Sequence, residues 1–329
     1  MCRDEKKRSE SSAFIKSITL FFIRGILIMD NINLKKQKNE EFIMLACEFL
    51  GNFVREGKKW LDTYERQGIE AGKINGQIAF WLRDWFNFVD AIAVLFANAN
   101  VFGAQVLTRS AWEVYLQFKY FLDDKDENVI DEKLKCYLVV MKYKKILILQ
   151  KSLDGYIKQN NLVEAEKVKA DIERAKEGFT SKQFNGCIEY IKRIESKPQL
   201  NWYTVYDKNI KSIRGLAKKV MAVNEQSIEN INENIYGLLS AYAHGLFSGD
   251  GFYIADDKKM KFLPFRYNNG GSFSLLMILI MFDDILLTLK DYYGDKIDFE
   301  RIVTPDIVSK QKDLLVRIRD IDEVLHGKV

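Results

Sequence analysis

Ile78-Ala-Phe-Trp-Leu-Arg-Asp-Trp-Phe-Asn-Phe-Val-Asp-Ala-Ile-Ala-Val-Leu-Phe96 is the stretch on which the fold class turns. It reads as the apolar part of a helix over Glu70 to Asn98, and its aromatic density implies burial on several sides. Such a stripe serves either as bundle core or as a cofactor box, and bundle core is the expectation adopted. Upstream, Phe42, Leu45, Phe49, Phe53 and Trp60 recur at helical steps and predict an amphipathic helix over Lys38 to Gln67, punctuated by Gly68. Downstream, Asn98 and Asn100 interrupt the pattern, and a third helix is expected from about Phe102 to Leu122.

The remaining chain continues in the same idiom. After the charged turn Asp123 to Glu127, two helices are expected over Val129 to Tyr156 and Leu162 to Phe179, joined at Lys158 to Asn161. The second is highly charged and carries only a thin apolar stripe, Leu162, Ala165, Val168 and Ile172. It reads as half of a hairpin arm, about residues 145–180, that projects into solvent or meets a protein partner. A short helix over Phe184 to Ser196, an irregular stretch over Gln199 to Asp207 and a basic helix over Asn209 to Val223 follow. The next helix starts near Glu225 or Ser227. Alternation around Phe252 to Ala255 and Met260 to Leu263 suggests a small β-hairpin. Ser272 to Tyr293 reads as a core helix, and Pro305 to Leu325 as a closing amphipathic one. The expected fold is all-α: a multi-helix bundle in one domain over 29–329, with the projecting arm and the small β-hairpin insertion.

Composition agrees. The 329 residues are 47% hydrophobic and 13% aromatic with only 3 Pro, which suits long helices and excludes wholesale disorder. Lys and Arg number 50 against 46 Asp and Glu, too even a balance to announce a nucleic-acid binder by bulk charge. Cys2, Cys47, Cys136 and Cys187 form no Cys-x-x-Cys unit, and with two histidines there is no zinc-site spacing. Unpaired thiols in a reducing cytoplasm, with no metal and no cofactor, are expected. The run Ala13 to Met29 could pass for a signal anchor, but Lys16 and Arg24 interrupt it and it is short for a span of ~20 apolar residues. Met29-Asp-Asn-Ile-Asn-Leu-Lys-Lys looks like a natural start. Residues 1–28 are therefore expected to be a non-native or dispensable extension, without stable membrane insertion.

Two segments could carry chemistry. Arg109 and Glu113 stand at i, i+4 on a helix whose flanks are apolar. Such a pair is either a buried ion pair that fixes register or the floor of an anion pocket, with the planar guanidinium binding phosphate. In Tyr236-Gly-Leu-Leu-Ser-Ala-Tyr-Ala-His244-Gly245, Tyr236, Ser240 and His244 share one helical face. His244 is either a histidine at a helix C-terminus capped by Gly245 or a general acid–base group, with Tyr236 and Ser240 orienting it or touching substrate. There is no Gly-x-Ser-x-Gly elbow, no phosphate-binding Gly-rich loop and no dinucleotide fingerprint, which argues against a Ser-His-acid triad and against ATPase, kinase and dehydrogenase readings.

The combination of Arg109-Ser110-x-x-Glu113 with Leu239-Ser240-x-x-x-His244-Gly245 resembles a group of uncharacterised bacterial all-helical proteins. That group is similar to the HEPN (higher eukaryotes and prokaryotes nucleotide-binding) superfamily. The resemblance spans roughly residues 80–290. It implies a helical bundle, commonly a homodimer, acting as a metal-independent endoribonuclease or toxin in stress or phage defence. The superfamily sets its arginine on the histidine's own helix, whereas here Gly237 to Leu239 occupy that spacing. The resemblance therefore assigns the arginine's role to Arg109, with Glu113 holding it and His244 moving the proton. The basic stretch with Lys211, Arg214 and Lys218 would guide RNA backbone. The missing arginine favours a second expectation, a non-catalytic nucleotide- or protein-binding module of a defence system.

Overall fold

The computed structural model describes residues 32–66, 72–177, 185–194, 200–221, 237, 252–254, 260–262, 271–294 and 307–326. The chain divides into two compact units, one drawn from Met1–Ile69, Leu82–Tyr115 and Glu225–Val329, the other from Glu70–Trp81 and Leu116–Asn224. The class is all-α.

The first unit is assembled from helix α1 (Ile32–Arg66), most of α2 (Lys73–Ala97) and α3 (Val101–Phe121), and, later in the chain, α9 (Gly271–Tyr293) and α10 (Ile307–His326). Helix α1 forms because its apolar residues return every three or four positions. Phe42, Leu45, Phe49 and Phe53 are buried on one face, packed towards α9 and α10. Helix α2 buries Leu82, Trp85, Val89, Ile92 and Phe96 at the same spacing. Phe282 of α9 meets Phe53 at 4.5 Å between ring centroids and Trp85 at 6.3 Å, so this face of the long aromatic stretch is core, whereas Phe80 and Val94 of the same stretch are exposed rather than buried on several sides as expected.

Close approach at the head of α9 needs a glycine. A Cβ on Gly271 would lie 2.8 Å from Phe42 Cζ and 2.9 Å from Phe96 Cε1. The buried Gln311 of α10 donates to the Phe49 carbonyl at 2.8 Å and accepts from Asn52 at 3.3 Å, tying α10 to α1 without charge. By length and hydropathy α9 could cross a membrane, yet 61% of its most apolar window is buried in the chain, as a core helix requires.

The second unit centres on α4 (Glu127–Lys158), capped by Asp126, whose side chain accepts from the Asn128 amide at 2.9 Å. Helix α5 (Leu162–Glu177) folds back along α4, buries Ala165 and Ile172 on it, and leaves Leu162 exposed near the turn. Past Ile146, α4 has no buried residue, so the expected arm is a two-helix hairpin with a single thin seam. Helices α6 (Asn185–Ile194), α7 (Trp202–Tyr206) and α8 (Ile213–Val220) follow.

Two local expectations change. The stretch Gln199 to Asp207 contains α7, a five-residue helix that no propensity would sustain alone; Trp202, Tyr203 and Val205 are buried and hold it by packing. The basic helix begins later than expected, at Ile213, because the Ser212 hydroxyl accepts from the Gly215 amide at 3.1 Å and caps it there. Strand structure among the described residues amounts to β1 (Phe252–Ile254) and β2 (Met260–Phe262), three residues each and antiparallel.

Candidate functional site

Helix α3 is started by Asn100, whose side chain accepts from the Gly103 amide at 3.0 Å. Along it Thr108, Ala111 and Trp112 are buried, which turns Arg109 and Glu113 to the rim of that core. Arg109 Nε donates to Glu113 Oε1 at 3.2 Å, and the two side chains are 20% and 36% exposed. The Arg109 side chain is thus mostly sheltered. Gln105, one turn earlier, is buried and continues the row 105, 109, 113. Sequence reading stopped at the charged pair; the four-residue repeat would have found Gln105 as well.

The same helix carries a second polar contact that sequence reading missed. Tyr115 donates its hydroxyl to Asp284 Oδ2 of α9 at 2.7 Å. Burial, reinforced by the Asp284 carboxylate and this hydrogen bond, holds the Tyr115 phenol well above its ordinary range. No local spacing could reveal a contact between residues 169 positions apart.

Lys211, Arg214 and Lys218 lie in the second unit and are exposed, on α8 and the turn before it. The opposite face of α8, Leu216, Ala217 and Val220, is buried, so the helix presents a basic edge that Lys219 extends. The structure brings Arg109 and Glu113 together and groups Lys211, Arg214 and Lys218. Tyr236, Ser240 and His244 lie outside the described residues.

Another charged group is buried in the second unit. The Lys133 ammonium donates to the Tyr120 carbonyl at 2.7 Å and to the Asp123 carboxylate, and sits 4.6 Å from the Tyr120 ring centroid. Trp202 Nε1 donates to Gln117 at 2.8 Å in the same unit. Also here, Cys136 and Cys187 bring their sulfurs to 3.4 Å, although their spacing in sequence suggested no relation. Among the described residues no group of three or more His, Cys, Asp or Glu could hold a metal ion.

Chemically, a sheltered guanidinium braced by a carboxylate suits an oxyanion with two or more acceptor atoms. A row of exposed lysines and arginine suits a polyanion surface without demanding a sequence.

Fold and site together define an all-α protein with an ion pair seated on a core helix and a separate basic helix edge. The chain belongs to a family of unknown function (DUF5677), whose model matches residues 78–261, from within α2 to within β2. The matched span takes in Arg109, Glu113, Lys211, Arg214 and Lys218, and the positions of Tyr236, Ser240 and His244. No curated protein and no solved structure matches the chain.

Proposed function

We propose that the chain is a HEPN-like, metal-independent endoribonuclease or toxin-type effector of bacterial stress or phage defence, acting in the cytoplasm as a homodimer. The observation that supports this reading best is Arg109, a permanent cation kept mostly out of water and braced by Glu113 at 3.2 Å. Sheltering strengthens its pull on a phosphate, and bracing spares the cost of orienting it during reaction. In this reading His244 takes the proton of the 2′-hydroxyl or delivers one to the leaving oxygen. Arg109 stabilises charge developing on the scissile phosphate, and Glu113 positions Arg109. Tyr236 and Ser240 orient the histidine or contact the nucleotide. Lys211, Arg214 and Lys218 hold RNA backbone. The α4–α5 arm docks a protein partner, the β1–β2 ribbon is an insertion in the bundle, and α9 stays in the core.

The test is incubation of the full chain with total RNA in excess chelator, beside His244→Ala and Arg109→Ala. Wild type is expected to cleave. Loss of Arg109 is expected to slow cleavage by roughly 10²–10³-fold, as for removal of an oxyanion donor. Persistent intact RNA with wild type overturns the nuclease. The presence of Gly237 to Leu239 in place of an arginine favours one other reading, a binding module that retains nucleotide or protein without cleaving. Nucleotide binding that survives without cleavage and is lost in Arg109→Ala would establish it.

A further inference from the structure

We propose that Cys136 and Cys187 form a reversible, peroxide-driven disulfide that locks helix α6 onto helix α4. The proposal is independent of the ribonuclease reading.

The geometry is specific. Cys136 lies on α4 and is buried; Cys187 lies near the start of α6 and is partly exposed. Their sulfurs are 3.4 Å apart across 51 residues of chain. A disulfide needs about 2.05 Å, so side-chain adjustment of little more than an ångström is required. Helix α6 already packs against α4 and α7, and Ile191 on it is buried, so both partners are carried by packed elements. Cys47, the other thiol among the described residues, bonds at 4.0 Å to the Ala93 carbonyl instead.

The two thiols are unequal. A hydrogen bond from Cys136 stabilises the Cys187 thiolate and brings its pKa down to about 7, against the opposing effects of burial and Glu132; Lys135 adds to the lowering. The same bond, together with burial, holds Cys136 protonated far above its ordinary value. The partly exposed sulfur is thus the nucleophile and the buried one the resolving group, an arrangement found in thiols that sense oxidants.

The step balances as follows. The Cys187 thiolate attacks one oxygen of a hydroperoxide; an S–O bond forms, the O–O bond breaks, and the departing oxygen leaves with a proton as water or an alcohol. Cys187 is now a sulfenic acid. Cys136 gives up its proton and attacks the Cys187 sulfur; an S–S bond forms, the S–O bond breaks and water leaves. Two thiols lose two electrons to one hydroperoxide, and a dithiol reductant reverses the change by exchange. In a reducing compartment the pair rests as thiols.

The experiment is treatment of the full chain with stoichiometric hydrogen peroxide, then alkylation and peptide mapping. The expected result is an intramolecular Cys136–Cys187 cross-link with the loss of two hydrogens, reversed by dithiothreitol. In Cys136→Ser, Cys187 is expected to stop at the sulfenic acid and to be trapped by a carbon-nucleophile reagent. In Cys187→Ser, no sulfenic acid should form at position 136 or its neighbours. Intermolecular disulfides, over-oxidation of Cys187 without a cross-link, or two thiols still alkylatable after peroxide would each overturn the proposal. Because the cross-link is read on the wild-type chain, misfolding of a variant cannot mask a negative.

Discussion

The unit built on α1, α9 and α10 buries Phe42, Phe49, Phe53 and Phe282, and its polar links include a neutral glutamine bridge, a bond from Ser272 to the Asp322 carboxylate and a phenol–carboxylate bond. The unit around α4 buries a lysine between tyrosine rings and brings a buried thiol against a partly exposed one. The first is held by apolar area, which is non-directional and tolerates modest repacking. The second adds directional groups whose removal leaves a buried partner exposed to loss. The difference teaches where the touching thiols sit: in the unit that also buries a lysine, not in the unit that carries Arg109.

The sharpest way to break the contrast is to empty the buried cation. Lys133→Ala removes the donor to the Tyr120 carbonyl and to Asp123 and leaves a gap among aromatic rings. It is expected to cost about 3 kcal/mol, in the range seen when one member of a buried pair is deleted. Lys133→Met, which keeps the stem's packing, is expected to cost about half as much. Urea unfolding of both variants checks this. Equal costs would show that the space filled by the stem contributes little, and that the charge alone matters.

Much of the first unit is legible in the chain because its helices obey one rule, burial at three- and four-residue steps. Lys38 to Gln67 and Ser272 to Tyr293 were readable as helices for that reason, and α1 and α9 lie there. The pair Arg109 and Glu113 was legible because helical geometry alone brings i and i+4 together. The second unit hides its chemistry. Lys133 reaches Tyr120 across 13 residues, Cys136 reaches Cys187 across 51, and Trp202 reaches Gln117 across 85. Only tertiary folding makes those pairs. One signal was available: Lys133 shares a helix face with the buried Ile130 and Tyr137, a charge in an apolar stripe that calls for a partner. Helix α7 was unreadable because five residues carry no period, and its stability is borrowed from Trp202.

Each unit also has a buried phenol, and pH separates them more gently. Tyr115 is held protonated by burial first and then by Asp284; Tyr120 by burial first and then by the nearby Asp207 and Asp123. Both native values stand above the ordinary 10, so the unfolded chain releases these protons first as pH rises. Their stabilising contribution is therefore intact below pH 10 and falls away above it. Tyr115→Phe is expected to lose about 1.5–3 kcal/mol at neutral pH with the bond to Asp284, and to show a shallower decline of stability above about pH 10. Urea midpoints at pH 7 and at strongly alkaline pH give both quantities. An unchanged alkaline slope would assign the decline to Tyr120 and the second unit.

The smallest difference is in the two tight turns, which share one geometry and differ by one side chain. After α2 the chain turns through Ala99 at φ 53°, with Asn100 N–H bonded to the Leu95 carbonyl at 2.8 Å. After α4 it turns through Asn160 at φ 56°, with Asn161 N–H bonded to the Tyr156 carbonyl at 3.0 Å. Both are left-handed helix ends that reach back to the preceding turn. Alanine in this region brings its Cβ against the following carbonyl and gains nothing local in return, whereas asparagine is among the few residues that tolerate it. Ala99→Gly is therefore expected to stabilise by up to about 1 kcal/mol, and Asn160→Gly by only a few tenths. The Asn100 side chain that caps α3 is untouched by the first change, so the gain reads the backbone alone. Equal urea midpoints for the two variants would mean that the strain at Ala99 is already relieved by its setting between the buried Phe96 and Val101, and that packing, not residue type, sets the cost of this turn.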